Sequence, residues 1–188
     1  MRVSFVVDGE QVDADPEPRL LLAEWLRASG RTGVHIGCDT SSCGACTVLI
    51  DGLPVKSCTM FAVQAADRHV TTVHGLTPVD GLSPVQQAFS DEHGLQCGFC
   101  TPGFVVATEA LLGENPDPDR DQITEAMDGN LCRCTGYVSI VRAVQRAARL
   151  RRGESGPIAA GASHETPLAV NRVAQRAVHE DLSETEVV

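Results

Sequence analysis

Eight cysteines are the residues of this 188-residue chain whose spacing could do chemistry. They form two sets of four, separated by the cysteine-free stretch 59–96. The sets are Cys38, Cys43, Cys46 and Cys58, and Cys97, Cys100, Cys132 and Cys134. An even number of cysteines is compatible with disulfides, but zinc and iron–sulfur centres commonly take four thiolates each. Metal ligation is favoured, because no export signal is evident and a disulfide between Cys132 and Cys134 would be strained.

The first set has the order C-x4-C-x2-C, followed by Cys58 after eleven intervening residues. This is the plant-type ferredoxin spacing for a [2Fe–2S] cluster. Its loop must wrap an anionic cluster closely. Gly37, Gly44 and Ala45 allow the backbone to approach, and Ser41 and Ser42 can donate hydrogen bonds. Zinc is the alternative, although zinc sites usually pair two short C-x2–4-C units.

The second set consists of two close pairs, each directly before a predicted helix, 101-TPGFVV and 135-TGYVSIV. Two helix N-termini would then face one site, where their partial positive charges favour an anionic cluster. Arg133 could offset further negative charge. Zinc is an alternative here too. A thioredoxin-like pair, Cys97-Gly-Phe-Cys100, is another alternative, but no βαβ pattern surrounds it.

The bulk composition excludes several partners. The net charge is −10, from 15 basic and 25 acidic residues, which argues against nucleic acid and anionic membrane surfaces. No apolar run approaches the roughly 20 residues of a membrane span. The N-terminal residues become acidic early and lack a signal peptide's apolar segment, so a cytoplasmic location is expected. Hydrophobic residues make up 43% of the chain, enough for a packed core.

The elements of the first half must position the first set. Residues 2–14 predict a β-hairpin around Asp8-Gly9, and 47–56 predict a second around Asp51-Gly52. Apolar spacing predicts a helix over 19–28, and VTTV at 70–73 predicts another strand. We therefore expect a first domain over residues 1–76, with a mixed sheet, one packed helix and a cysteine loop.

The second half changes to helical periodicity. Helices are predicted to start at Ser83-Pro84, at Thr101-Pro102, at Asp119 or Asp121, and at Thr135. They form a four-helix bundle over residues 77–152, and the whole chain is α+β. The extension 153–188 starts as a linker. Its Val/Ala stripe predicts a helix over 167–182 that docks on a partner chain, and a partly disordered acidic tail is the alternative.

The cysteine motifs together resemble a known family. The stretches 38-CDTSSCGAC-46, 96-QCGFCTPG-103 and 130-NLCRCTGY-137 resemble the small iron–sulfur subunit of the molybdenum hydroxylases, which include xanthine dehydrogenase, aldehyde oxidoreductase and carbon monoxide dehydrogenase. The resemblance covers about residues 1–150 and all eight cysteines. Residues 34–48, 54–65 and 93–103 look closest to the carbon monoxide dehydrogenase small subunit, although heterocycle dehydrogenases have similar small subunits.

The resemblance implies a β-grasp [2Fe–2S] ferredoxin-like domain followed by a four-helix bundle that binds a second [2Fe–2S] cluster. The first cysteine set would hold the distal cluster. The second set would hold the proximal cluster, near the molybdopterin-type molybdenum cofactor of a large partner subunit. Gln96 matches a position that contacts the pterin of that cofactor.

The family also implies an electron relay. Substrate is oxidised at molybdenum on the large subunit, and electrons pass through the proximal and distal clusters towards FAD in a medium subunit. A dimer of heterotrimers is the expected assembly. No catalytic acid, base or nucleophile is assigned to this chain. The expected enzyme is an aerobic carbon monoxide dehydrogenase. The alternatives to that function are the small subunit of an aldehyde or N-heterocycle hydroxylase, a free-standing two-cluster ferredoxin and a zinc-binding structural module.

Overall fold

The computed structural model describes residues 2–154. The helix predicted over 167–182 therefore lies outside the described residues. The first half of the chain contains five strands: β1 Val3–Val7, β2 Glu10–Ala14, β3 Thr47–Ile50, β4 Leu53–Lys56 and β5 His69–Thr71. The helices are α1 Leu22–Ala28, α2 Pro84–Asp91, α3 Thr101–Glu114, α4 Arg120–Met127 and α5 Val138–Arg151. No helix in residues 2–154 combines the length and apolarity needed to cross a membrane.

The five strands form one mixed sheet in the order β2-β1-β5-β3-β4. Only the β1–β5 pair is parallel; the hairpins and the β3–β5 pair are antiparallel. Both hairpins turn at the predicted Asp-Gly pairs. Asp8 and Gly9 have φ of 53° and 86°, and Asp51 and Gly52 have 51° and 85°. Positive φ at both central positions is the turn that suits right-twisted strands, so the local sequence determined these two hairpins.

Helix α1 begins at Leu22, three residues later than predicted. The chain just before it is extended and pairs with the segment that follows Cys58. Leu21 forms a β-bridge with Phe61, and the Leu22 N–H donates to the Met60 carbonyl at 2.7 Å. This pairing takes the backbone groups that a longer helix would have used. It also fixes the chain directly after Cys58.

The second half is a bundle of α2, α3, α4 and α5, as predicted. Ser83 and Asp119 cap α2 and α4, accepting from the N–H groups of Gln86 at 3.2 Å and Gln122 at 2.9 Å. Thr135 is not the cap of α5. That helix begins at Val138, after Tyr137 in the left-handed region with φ of 69°.

Two separate hydrophobic cores support the two cysteine sets. The first lies between the sheet and α1, and Cys46 and Cys58 are part of it. The second lies inside the bundle, and Cys100 and Cys132 pack against it. The largest fully buried side chains are Phe5, Leu22 and Leu26 in the first core and Phe89, Phe104, Ile123 and Ile140 in the second. Each cysteine set is therefore positioned by its own core.

The first hairpin turn anchors the chain where it leaves the sheet. The Asp8 carboxylate accepts from the Thr72 N–H at 2.7 Å and the Thr72 hydroxyl at 2.9 Å, and it lies 3.9 Å from the Arg31 Nε. We expect Asp8→Ala to lower the free energy of unfolding by about 2–3 kcal/mol, because Thr72 is left with unpaired buried groups. Denaturant unfolding would measure this. Asp51→Ala is the control, since Asp51 occupies the equivalent turn but is 39% exposed. An equal loss in both variants would contradict the prediction.

Candidate metal centres

The first cysteine set is assembled by a loop and a hairpin. Cys38, Cys43 and Cys46 lie on the loop between α1 and β3, and the β3–β4 hairpin returns the chain to the same place. Ser57 then donates from its N–H, at 3.4 Å, and from its hydroxyl, at 2.7 Å, to the Cys46 carbonyl. This places Cys58 beside Cys46, as the hairpin prediction required.

The four thiols of this first site associate as two pairs. The Cys43 N–H donates to the Cys38 Sγ at 3.4 Å. Backbone N–H groups of Thr40 and Cys43, with the Cys43 thiol, lower the pKa of Cys38 to about 6. At the other end, burial and a hydrogen bond with the Cys46 thiol raise the pKa of Cys58 to about 11. The lowered pKa prepares Cys38 to bind as a thiolate, whereas the buried Cys58 thiol, with its raised pKa, needs the positive charge of a metal to ionise.

The second set meets at the entrance of the bundle. Cys97 and Cys100 precede α3, and Cys132 and Cys134 lie on the loop before α5. The Sγ atoms of Cys97 and Cys134 are 3.5 Å apart and exposed. The α3 N-terminus directly follows Cys100, as predicted. The α5 N-terminus starts four residues after Cys134, so the expectation of two helix N-termini directly behind the cysteines is wrong for α5.

The inner pair of the second set is Cys100 and Cys132, whose thiols share a hydrogen bond. Burial, followed by that bond, raises the pKa of Cys100 to about 12. Burial would also raise the pKa of Cys132, but hydrogen bonds from Thr135 and the Cys134 backbone lower it overall. Thr135 contributes its hydroxyl at 3.1 Å and its N–H at 3.4 Å. Thr135 therefore hydrogen-bonds to the Cys132 sulfur instead of capping α5. The Tyr137 hydroxyl accepts from the Cys132 N–H at 2.9 Å.

The pairing of the thiols bears on the choice between zinc and an iron–sulfur cluster. A structural zinc needs four ligands around one point. Within residues 2–154, no three His, Cys, Asp or Glu side chains converge in that way. The thiols are also free rather than bridged by disulfides. Two pairs at each site fit a [2Fe–2S] cluster, which takes four thiolates distributed over two irons.

The two cysteine loops touch each other directly, which the sequence did not indicate. The Leu131 N–H donates to the Cys43 carbonyl at 2.9 Å, and the Asn130 side-chain amide donates to the Gly44 carbonyl at 3.1 Å. Asn130 is only 3% exposed. Gly44 has φ of 72°, and a Cβ there would overlap the Gly129 carbonyl and Asn130. A side chain at Gly44 would separate the two loops.

An aromatic contact joins the loops on a second side. The Phe99 ring stacks on His35 with centroids 4.8 Å apart, and the Phe99 carbonyl is 2.7 Å from the His35 Nδ1. A Cβ at Gly37 would lie 3.1 Å from the Phe99 ring and 3.2 Å from the Cys43 Sγ. Phe99, one of the two residues between Cys97 and Cys100, therefore lies against the first site. Gln96 is exposed, next to the exposed Cys97.

The fold and the paired thiols define a two-cluster iron–sulfur protein. Residues 5–71 match the family model "2Fe-2S iron-sulfur cluster binding domain", and residues 72–145 match "[2Fe-2S] binding domain". The chain is 45% identical to the nicotine 6-hydroxylase small subunit of Paenarthrobacter nicotinovorans, over 77% of this chain and 87% of that protein. It is also 45% identical to the caffeine dehydrogenase subunit gamma of Pseudomonas sp. (strain CBB1), over 76% and 88%.

Solved structures agree. The chain superposes on quinoline 2-oxidoreductase from Pseudomonas putida 86 with a TM-score of 0.77 and 46% identity, covering 82% of this chain and 98% of that chain. For the aldehyde oxidoreductase of Desulfovibrio gigas the TM-score is 0.79 at 36% identity, over 82% of this chain and 18% of that chain. The protein belongs to the small iron–sulfur subunits of the molybdenum hydroxylase family. It is the electron-transfer subunit of a multi-subunit oxidoreductase.

Proposed function

We propose that each cysteine set holds one [2Fe–2S] cluster and that the two relay electrons within a molybdenum hydroxylase. The first set holds the distal cluster, and the second holds the proximal cluster. The observation that carries this assignment is the association of the eight thiols into four pairs, two at each site. When bound, such clusters supply one-electron oxidation and reduction.

The chain's own residues set the route between the sites. From Cys132 the backbone leads through one peptide group to the Leu131 N–H, which donates to the Cys43 carbonyl at 2.9 Å. This hydrogen bond is the short connection between a ligand of each set. Exposure indicates which site faces the large subunit. Cys97 and Cys134 are on the surface, whereas Cys46 and Cys58 are buried. The surface of the second set, with Gln96 beside it, is the side we assign to the large molybdenum subunit and its pterin.

The names of the relatives support a multi-subunit assembly for this chain. They are small, gamma and beta subunits, so this chain works with larger partners. We propose a large molybdopterin subunit, a medium FAD subunit and a dimer of such heterotrimers. A free-standing ferredoxin is less consistent with these relatives. The domain limits 1–76 and 77–152, the docking role of 153–188 and the cytoplasmic location stay predictions.

For the substrate we propose an N-heterocycle or an aldehyde. The relatives and structures reported above are named for nicotine, caffeine, quinoline and aldehydes. They support the family, and they leave the expected closeness to carbon monoxide dehydrogenase without support. The assembled enzyme can distinguish these substrates. Anaerobic addition of a heterocycle or an aldehyde should reduce the clusters, and reduction by carbon monoxide alone would restore the carbon monoxide interpretation.

Metal analysis tests the two-cluster proposal directly. We expect about four iron atoms per chain and no zinc, because each site accommodates a two-iron cluster. Electron paramagnetic resonance of the dithionite-reduced protein should show two distinct [2Fe–2S] signals. The chain, tagged and expressed with its neighbouring genes, should co-purify with a molybdenum-containing subunit. Zinc without a paramagnetic signal would overturn the assignment, and a fully loaded chain that purifies alone would favour the free-standing ferredoxin.

A further inference from the structure

Lys56 is the only lysine in the chain, and the other fourteen basic residues are arginines. It lies at the end of β4, two residues before Cys58 and directly beside the contact between the two cysteine loops. Its side chain is half-buried. Lysine differs from arginine in carrying a compact point charge with three donors on a flexible stem. A single lysine at a half-buried position is therefore a candidate for a charge that the site uses.

The Lys56 ammonium is held from both domains. Its Nζ donates to the Thr47 hydroxyl at 3.0 Å and to the Asn130 Oδ1 at 3.2 Å. Thr47 directly follows Cys46, and Asn130 is two residues before Cys132. Asn130 uses its amide nitrogen on Gly44, so its oxygen is free to accept from the ammonium. A Cβ at Gly129 would lie 3.2 Å from the Nζ, so the bare backbone there leaves room for the charge.

The charge of Lys56 acts on the first site. Burial lowers the pKa of Lys56, and negative charge on the first-set cysteines raises it. Partial burial also means that water screens these interactions less than it would at the surface. The position of Lys56 gives the same result: it is two residues before Cys58, and its Nζ donates at 3.0 Å to Thr47, the residue after Cys46. The ammonium therefore lies beside the site whose negative charge would increase on reduction.

We propose that Lys56 raises the reduction potential of the distal cluster and that Asn130, from the bundle domain, holds it in position. The inference deepens the proposed function and rests on it. Reduction adds one electron, and therefore one negative charge, to the first site. A fixed positive charge nearby stabilises the reduced state more than the oxidised state. A higher distal potential favours electron flow from the second set to the first.

The test is a redox titration of the assembled holoenzyme followed by electron paramagnetic resonance, which resolves the two clusters separately. Lys56→Met keeps the length of the side chain and removes its charge. We expect the ratio of reduced to oxidised distal cluster, at fixed potential, to fall about tenfold, which is about 59 mV for one electron. The proximal cluster should shift less. Lys56→Arg keeps the charge and should restore most of the distal potential.

Arg68→Met is the matched control. It also removes one positive charge from the sheet domain, but Arg68 is 54% exposed and pairs with Asp51 at 3.0 Å. It should leave both potentials unchanged, because exposed charges are screened. Equal shifts in Arg68→Met and Lys56→Met would show a general charge effect and overturn the proposal. A larger shift at the proximal cluster, or no shift at either, would overturn it as well.

Iron content and the paramagnetic signals separate this inference from the proposed function. If the wild-type enzyme lacks two [2Fe–2S] signals, the proposed function itself fails. If the wild type is fully loaded and Lys56→Met keeps both signals at unchanged potentials, only the role of Lys56 fails. If both Lys56→Met and Lys56→Arg lose the distal signal and half the iron, Lys56 is a structural residue of the loop contact, and the tuning proposal is wrong.

Discussion

Replacing Cys132 by alanine is expected to remove the proximal cluster and leave the distal cluster intact. Cys132 pairs with Cys100 and belongs to the bundle core, whereas Cys46 and Cys58 belong to the core of the sheet domain. Because no thiol is shared between the sites, iron should fall from about four atoms per chain to about two. One of the two paramagnetic signals should disappear, and substrate should no longer reduce the remaining cluster.

Cys38→Ala is the reciprocal variant. It removes a thiol from the first site and should abolish the other signal, again with about half of the iron retained. In this variant substrate should still reduce the proximal cluster, while electron transfer beyond that cluster stops. Alanine is preferred to serine, because a serine oxygen could still ligate iron. Loss of all iron in both variants would contradict two independent sites. Loss of the same signal in both would contradict the division into these two sets.

Local rules were enough to predict most of the elements. The Asp-Gly pairs determined both hairpins, since the turn needs positive φ at two successive residues. The Ser83-Pro84 pair determined the start of α2, because it combines a capping hydroxyl with a residue that needs no N–H partner. The spacing of the cysteines indicated the cluster type at the first site. The turn and cap signals are each contained within a few residues, and the first three cysteines fall within residues 38–46.

The errors lie where another contact uses the groups that a helix start would have used. Residues 19–21 have helical periodicity, but Leu21 pairs with Phe61 and so remains extended. Thr135 has the type and position of a helix cap, but its hydroxyl and N–H both approach the Cys132 sulfur. At Leu21 a partner brought close by the fold replaces the local preference, whereas at Thr135 the competing sulfur is only three residues away.

The contact between the two sites could not be predicted from the sequence, because its partners are far apart in the chain. Asn130 and Gly44 are 86 positions apart, and no sequence motif includes both residues. Lys56 precedes Cys58 in an ordinary strand end, and only the fold places it between Thr47 and Asn130. The spacing of the cysteines therefore predicted two clusters, while the geometry that connects them came from tertiary packing.

Gly103→Ala is expected to force the two cysteine loops apart. Gly103 lies in the first turn of α3, and a Cβ there would overlap the Gly44 carbonyl oxygen and lie 3.0 Å from the Asn130 Nδ2. Backbone cannot yield as a flexible side chain can, so we expect a loss of about 3 kcal/mol in unfolding free energy. For a chain of this size the melting temperature should fall by about 6–12 °C. Hydrogen exchange at the Leu131 N–H, which bonds to the Cys43 carbonyl, should accelerate.

Gly113→Ala, in the same helix, isolates the cause. No atom lies within 4 Å of a Cβ at Gly113, so the substitution gains helix propensity without a clash. It should stabilise the protein by about 0.5–1 kcal/mol. Opposite signs for the two glycines would show that the loop contact, and not the helix, limits position 103. If both variants melt at the same temperature, the loops do not meet at Gly44. The Leu131–Cys43 connection would then lose its physical basis, as would the position of Lys56 beside it.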